Sequence, residues 1–159
     1  MKLLAYEVDK RSFLGVLNED ETWVYPVSAA GMEYRSMKDL IREAGPSEME
    51  MLDYISKKAP GDVNGAAPVE EIRIVSPIPE PDQDIICLGI NYMDHAAESA
   101  RFQKEEFARP EKAIYFSKRV NRTNDPDGII PAHKNLTNQL DYEAELAVII
   151  KKDAKDVKP

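Results

Sequence analysis

The first 27 residues alternate short apolar runs with polar, charge-rich segments, which is the pattern of β-strands joined by turns. The apolar runs cover residues 3–8, 13–17 and 22–27, and the polar segments between them cover residues 9–12 and 18–21. Each run is long enough for one strand, and each connection is short enough for a turn. The pattern therefore predicts an antiparallel meander of three strands.

From Ser36 onward the apolar positions change to the spacing of a helix face. We predict one helix that begins at Ser36 and is ended by Gly45-Pro46, and a second over residues 47–58. The positions predicted to face inwards are Met37, Leu40, Ile41 and Ala44 in the first helix and Met51, Leu52 and Ile55 in the second. Glycine and proline then interrupt residues 59–65, so we expect a small N-terminal α+β domain over residues 1–65 and a second domain over residues 66–159.

The second region is also mostly β in its pattern. Strands are predicted over residues 69–75, 84–90, 113–116 and 142–150, with an extended proline-rich arm over 76–81, a polar and partly helical stretch over 91–109, and a turn over 124–128. The predicted fold class is therefore α+β, with a mixed and mostly β architecture and few helices.

Charge and hydropathy exclude several classes of protein. The chain has 29 acidic against 21 basic residues, a formal net charge of −8 that disfavours a nucleic-acid partner. No stretch approaches the roughly 18 apolar residues that cross a bilayer, and charged residues from Glu7 onward interrupt any signal-peptide pattern. Cys87 is the single cysteine, and it lies in an apolar run, which predicts a buried strand thiol in a reducing compartment. We therefore expect a cytoplasmic protein without a membrane partner.

Glu143 and Glu145 form the first candidate site. Residues two apart in a strand share a face, and the apolar run after Glu145 is rich in β-branched residues that favour a strand. Two carboxylates about 5 Å apart repel by about 3 kcal/mol at an effective dielectric near 20, so an enclosed pair needs a proton or a cation. Oxygen-only ligation favours Mg²⁺ or Mn²⁺, then Ca²⁺. A half-exposed acidic strand face without a metal is the alternative.

His95 and Glu98 form the second candidate site, just after an apolar strand. In a helical turn they are i, i+3 neighbours, so that the carboxylate can orient the imidazole and raise its basicity. This is the arrangement of a general base that activates water. An ordinary surface contact between histidine and glutamate is the alternative.

Together these two segments resemble the fumarylacetoacetate hydrolase family, and specifically the N-terminal part of a bacterial fumarylpyruvate or acylpyruvate hydrolase. The similar motifs are IICLGINYMDHAAE at residues 85–98 and LDYEAELAVII at residues 140–150, in this order around the YFSK strand at residues 115–118. The resemblance covers the chain from about Val69 to its end. The β-rich region before it is similar to the N-terminal appendage of many bacterial members.

The resemblance implies a mixed β-roll that holds one divalent cation, usually Mg²⁺. Glu143 and Glu145 match two of the three metal carboxylates of the family, and His95 and Glu98 match its water-activating dyad on a mobile lid. Lys118 and Tyr92 are the implied substrate-binding residues. The third metal carboxylate and a catalytic lysine lie further along in family members, so we expect this chain to be the front part of a longer protein and to bind metal weakly alone.

The implied activity is hydrolysis of a carbon–carbon bond in a small 2-oxo acid of the acylpyruvate or fumarylpyruvate type. The same chemistry would serve a decarboxylase or isomerase of oxaloacetate-like or unsaturated 2-oxo diacids, which is the first alternative. An inactive truncated fragment is the second. Family members commonly form dimers, so we expect a homodimer of the full-length protein.

Overall fold

The computed structural model of the protein describes residues 1–89 and 112–158. The chain divides into two compact units, one of Met1–Ile78 with Asn124–Pro159 and one of Pro79–Thr123. The described secondary structure consists mostly of β-strands with two α-helices, which agrees with the predicted α+β class. Both sheets in the described ranges are antiparallel, and the family-type mixed roll stays a prediction.

The first unit contains a five-stranded antiparallel sheet in the order β4-β3-β2-β1-β5. Its strands are β1 (Leu3–Val8), β2 (Arg11–Leu17), β3 (Trp23–Pro26), β4 (Ala67–Pro68) and β5 (Arg73–Val75). The predicted meander is confirmed as β1-β2-β3. Asp9 and Lys10 connect β1 to β2 with φ values of 49° and 64°, the left-handed pair that a two-residue hairpin turn requires.

Two helices follow the meander, as the apolar spacing predicted. Helix α1 spans Met37–Glu43, and the Ser36 hydroxyl accepts a hydrogen bond from the Asp39 amide at 3.1 Å, which caps its N-terminus. Helix α2 spans Pro46–Ser56. Neither helix in the described ranges is long and apolar enough to cross a bilayer.

The core of the first unit lies between the helices and one face of the sheet. Its buried residues are Val16, Tyr25, Val27, Met37, Leu40, Ala44, Leu52, Ile55 and Val63. A smaller cluster of Leu4, Tyr6 and Val24 occupies the opposite face, because successive residues of a strand point to opposite sides. Met51 was predicted to face inwards and is instead 45% exposed, since it lies at the edge of the buried stripe that Leu52 and Ile55 define.

Two strand predictions differ from the structure. Over residues 69–75, a short 3₁₀-helix (Val69–Glu71) precedes β5, which begins only at Arg73. The prediction of a strand over residues 142–150 is wrong, because these residues form no strand and are exposed. A strand is stabilised by its ladder to a neighbour, and no strand in the described ranges pairs with this segment. The predicted turn over residues 124–128 is confirmed by the hydrogen bond from the Gly128 amide to the Asp125 carbonyl, at 3.0 Å.

The second unit contains an antiparallel pair of strands, β6 (Ile85–Gly89) and β7 (Ile114–Lys118). Cys87 is buried in β6, as predicted. The stretch predicted to be partly helical, over residues 91–109, lies outside the described residues. Strands β4 and β5 follow residue 65 along the chain and pair with β3 and β1; the domain division at that residue stays a prediction.

Candidate functional site

Three of the six predicted site residues fall outside the residues that the structure describes. They are Tyr92, His95 and Glu98, which follow β6 in the sequence. Their assignment as substrate-binding residue and water-activating dyad therefore stays a prediction from the sequence. Lys118, Glu143 and Glu145 are described, Lys118 in the second unit and the two glutamates in the first.

Lys118 is the last residue of β7, where it lies opposite Ile85 of β6. Alternation along the strand places Lys118 on the same face as Phe116, and its Nζ lies 5.8 Å from the centroid of the Phe116 ring. The contact is a cation–π interaction at an exposed site. An ammonium group held at a strand end over an aromatic ring can bind the carboxylate of a small acid, which is the role that the family resemblance implies for it.

Glu143 and Glu145 lie in an exposed segment without helix or strand. Their predicted common face depended on strand alternation, and the structure does not bring them together in that way. In residues 1–89 and 112–158, no group of three or more histidine, cysteine, aspartate or glutamate side chains is close enough to hold a metal ion. The site that the sequence predicts is therefore not assembled by the described residues alone.

The donor chemistry of this pair still fits a hard divalent cation. Mg²⁺ is typically held by one or two carboxylates, while water and substrate oxygens complete its six ligands. Glu143 and Glu145 offer carboxylate oxygens and no sulfur or nitrogen, a set that suits Mg²⁺ or Mn²⁺ better than Zn²⁺. The residue types thus match the implied metal, whereas the backbone of the segment does not fix their common orientation.

The segment that carries both glutamates is held by residues of the N-terminal region. The Lys151 ammonium donates a hydrogen bond to the carbonyl of Ala44, at the end of α1. Nearby, the hydrogen bond from the Ser47 hydroxyl, more than any other cause, lowers the pKa of the Glu48 carboxyl, and the charge of Lys151 acts in the same direction. At the other end of the segment, Asp125 accepts a hydrogen bond from the guanidinium of Arg73, in β5. The sequence alone does not reveal the contacts of Lys151 and Asp125, because their partners lie 107 and 52 positions away along the chain.

A small cleft of about 190 Å³ lies elsewhere in the first unit. Ion pairs line it, with 2.5 Å between Lys2 Nζ and Glu21 Oε1 and 2.6 Å between Lys57 Nζ and Asp53 Oδ2. The predicted site residues that the structure describes, Lys118, Glu143 and Glu145, do not contribute to its lining. The cleft is therefore not formed by the candidate residues in the described part of the chain.

Comparison with known proteins supports the resemblance found in the sequence. The family described as "Fumarylacetoacetate (FAA) hydrolase C-terminal" matches residues 84–159. An oxaloacetate tautomerase of Bacillus subtilis, YisK, is 32% identical over 162 residues, which cover 96% of this chain and 52% of that protein. Uncharacterized proteins of Staphylococcus epidermidis (SERP0556) and Staphylococcus aureus (SAUSA300_0871) are each 27% identical over 167 residues, which cover 99% of this chain and 53% of theirs. The chain spans about half the length of these curated relatives.

Proposed function

Since the chain belongs to the fumarylacetoacetate hydrolase family, we propose that the protein is an enzyme that interconverts the keto and enol forms of small 2-oxo diacids, with oxaloacetate as its substrate. The observation that carries this proposal is the 32% identity to an oxaloacetate tautomerase over 96% of the chain. Because it covers 96% of the chain, the similarity includes the N-terminal sheet and extends beyond residues 84–159, which the family model matches.

The chemistry requires one group that moves a proton. In the keto form of oxaloacetate the carbon between the two carbonyl groups carries the acidic hydrogens. We propose that His95, oriented by Glu98, removes one of these protons as a general base. The electron pair of the broken C–H bond forms the C=C bond, and the former carbonyl oxygen takes up a proton. No atom is gained or lost, and the reverse path restores the keto form.

The enzyme must also hold a dianion and stabilise the charge that develops on the carbonyl oxygen. Lys118 is proposed to bind one carboxylate, with Tyr92 as a second substrate contact. Glu143 and Glu145 would hold a divalent cation, Mg²⁺ in the first place and Mn²⁺ or Ca²⁺ as alternatives. When bound, such a cation supplies positive charge that stabilises an enolate.

Hydrolysis of a carbon–carbon bond in an acylpyruvate or fumarylpyruvate is the second candidate function. The match of residues 84–159 to a family described as a hydrolase favours it, and a histidine oriented by a carboxylate, as proposed for His95 and Glu98, can also take a proton from water. The hydroxide would add to the distal carbonyl, and the adjacent C–C bond would break to give a carboxylic acid and the enolate of pyruvate. Decarboxylation of oxaloacetate, which releases CO₂ and leaves the same enolate, belongs to the same group of reactions.

We further propose that the full-length protein completes a family-type β-roll, with residues 66–159 as its first part, and forms a homodimer. The chain covers little more than half of its relatives, which supports a longer protein as the active species. The activity is therefore to be tested on the full-length protein.

The test is a substrate panel with Mg²⁺ that contains oxaloacetate, acylpyruvates and unsaturated 2-oxo diacids. Loss of enol absorbance from freshly dissolved enol-oxaloacetate measures tautomerisation, and product analysis by NMR separates it from decarboxylation and hydrolysis. If the enzyme accelerates the loss of enol absorbance and this rate falls about 10²–10⁴-fold in His95→Ala, the result supports the proposal. If His95→Ala stays within about threefold of wild type, His95 is not the base. If the protein cleaves acylpyruvates but does not raise the rate of tautomerisation above the uncatalysed rate, the second candidate function is established instead.

A further inference from the structure

Arg73 joins two carboxylates that are distant in the sequence. Its Nη1 donates to Glu7 Oε2 of β1 at 2.8 Å, and its Nη2 donates to Asp125 Oδ2 at 2.6 Å. The planar guanidinium presents its N–H groups in a fixed fork, so one side chain can hold two acceptors in defined directions. The turn that contains Asp125 is therefore fastened to the edge strand of the N-terminal sheet.

The second oxygen of Asp125 is also engaged. Oδ1 accepts a hydrogen bond from the backbone amide of Ser76 at 2.9 Å, and Ser76 is buried at 7% exposure. The side chain of Asp125 is only 25% exposed, whereas that of Arg73 is 61% exposed. Because one oxygen of Asp125 is bound to Arg73, the first residue of β5, and the other to Ser76, which follows the last, the turn has little freedom to rotate about this anchor.

The segment that begins at this anchor carries both proposed metal ligands. Asp125 lies before Glu143 and Glu145 in the sequence, and Lys151, bound to the Ala44 carbonyl, lies after them. The segment between the two anchors forms no helix or strand in the described structure, so its position depends on side-chain ties. Fixing both ends of a loop reduces the conformational entropy that its middle would lose when a ligand is bound.

We propose that Arg73 is a positioning residue for the metal-binding carboxylates: by bridging Glu7 and Asp125 it anchors the segment of residues 125–151 to the N-terminal sheet and limits the positions of Glu143 and Glu145. The inference rests on the proposed metal role of these glutamates. It gives the N-terminal sheet a function in the site, since Glu7 and Arg73 both precede the region that the family model matches.

The experiment compares ¹⁵N-labelled wild type with Arg73→Ala and Arg73→Lys, and with Arg35→Ala as the matched control. Arg35 is also an N-terminal arginine in an ion pair, with 3.3 Å between its Nε and Asp39 Oδ2, and its side chain is 90% exposed. Hydrogen exchange of the Ser76 amide reports the anchor directly. The heteronuclear NOE of Glu143 and Glu145 reports the backbone order of the segment, and calorimetric titration with Mn²⁺ reports the affinity of the carboxylates.

In Arg73→Ala we expect the Ser76 amide to exchange about tenfold faster, the size of effect that one charge-assisted hydrogen bond gives. The NOE values of Glu143 and Glu145 should fall, and the Mn²⁺ dissociation constant should rise about fivefold, a typical effect for a residue that acts through others. Arg73→Lys should restore only part of each change, because lysine keeps the charge and loses the fork. Arg35→Ala should match wild type in all three measurements.

Unchanged exchange and NOE values in Arg73→Ala would overturn the proposal. So would faster exchange with an unchanged Mn²⁺ affinity, because the anchor would then hold the turn without positioning the carboxylates. Full restoration by lysine would assign the effect to charge alone and contradict the bridging role. If Arg73→Ala does not fold, Asp125→Asn replaces one of the two anionic acceptor oxygens by an NH₂ group and so weakens the same contact, while Glu7 and Arg73 stay paired. Wild type that binds no Mn²⁺ would contradict the proposed metal role, while the NMR measurements would still decide whether Arg73 anchors the segment.

Discussion

The hydroxyl of Tyr25 donates a hydrogen bond to the backbone carbonyl of Lys58, with 2.8 Å between the two oxygens. Tyr25 lies in β3 and is fully buried, while Lys58 follows the C-terminus of α2. The bond gives the buried phenol a partner for its polar atom and ties the end of the helix to the sheet. This long-range contact links the sheet to the end of α2, and both of these elements contribute to the N-terminal core.

Replacing Tyr25 by phenylalanine tests the value of this bond. The ring remains in the core, and the Lys58 carbonyl loses its donor, so we expect the free energy of unfolding to fall by about 1 kcal/mol. Urea denaturation followed by circular dichroism measures the change. Tyr54→Phe is the matched control, since Tyr54 lies on α2 and is 59% exposed, and its effect should stay below about 0.5 kcal/mol. Equal losses in the two variants would show that the bond to Lys58 contributes nothing.

Alkaline pH should destabilise the fold through its buried tyrosines. Burial, and secondarily the negative charges of Asp20 and Asp62, raises the pKa of Tyr25 above its ordinary value of 10.0, and burial raises the pKa of Tyr6. The folded state therefore favours the neutral phenol more than the unfolded state does. The buried tyrosines contribute fully to the free energy of unfolding below about pH 10, and this contribution is lost as the pH rises further. Urea midpoints measured from about pH 8 to pH 11 should fall less steeply in Tyr25→Phe than in wild type. Parallel curves would contradict this cause.

Gly15 is required by the close packing of the sheet. It lies in β2 opposite Pro26, and a methyl group there would collide with Val24 and lie 2.8 Å from Cε1 of Tyr6. Gly15→Ala should therefore lower the free energy of unfolding by about 1–3 kcal/mol, as overpacking of a core does. Gly61→Ala is the control, because a methyl group at Gly61 would meet no heavy atom of the described residues within 4 Å. A loss of the same size at both glycines would exclude a packing cause.

The elements that the sequence predicted well are those specified by local pattern. β1, β2, β3 and α1 each follow from the spacing of apolar residues over a short stretch, and Ser36 marks the start of α1 through its own hydroxyl. The burial of Cys87 follows from its apolar neighbours in the same way. Local pattern is sufficient here because each of these helices and strands buries its apolar face, and the spacing of the apolar residues identifies that face.

The candidate site could be predicted only in its residue types. Residues 142–150 have the composition of a strand, but a strand also needs a partner, and the described structure provides none. The predicted common orientation of Glu143 and Glu145 depends on a strand, and because residues 142–150 form none, the structure does not support that orientation. The contact of Arg73 with Asp125 spans 52 positions in the sequence and leaves no local signal. Pairings at such separations depend on the assembled fold, which a single sequence does not display.

Lys118 should contribute to substrate binding more than to turnover. Lys118→Met keeps most of the length of the side chain over Phe116 and removes the charge that is proposed to bind a carboxylate. We expect KM for a 2-oxo diacid to rise about 10- to 100-fold, the range for one lost charge-assisted contact, with a smaller change in kcat. Steady-state kinetics measures both constants. Lys112→Met removes an exposed lysine just before β7 and should leave KM unchanged; a rise of equal size in this control would assign the effect to net charge.

Glu143 and Glu145 should each be needed for binding of a divalent cation. Glu143→Gln and Glu145→Gln keep the shape of the side chain and replace an anionic oxygen ligand by a neutral amide. Each change should raise the Mg²⁺ dissociation constant at least about tenfold. Even the substitution of a residue that only hydrogen-bonds to a metal ligand typically lowers the metal affinity about 10- to 100-fold. Calorimetric titration of the full-length protein measures the affinity. Asp153→Asn removes one negative charge at an exposed acid just after the segment of residues 125–151, and it should have little effect. If Asp153→Asn weakens binding as much as either glutamine variant, the cation is attracted by the general acidity of the segment rather than ligated by this pair.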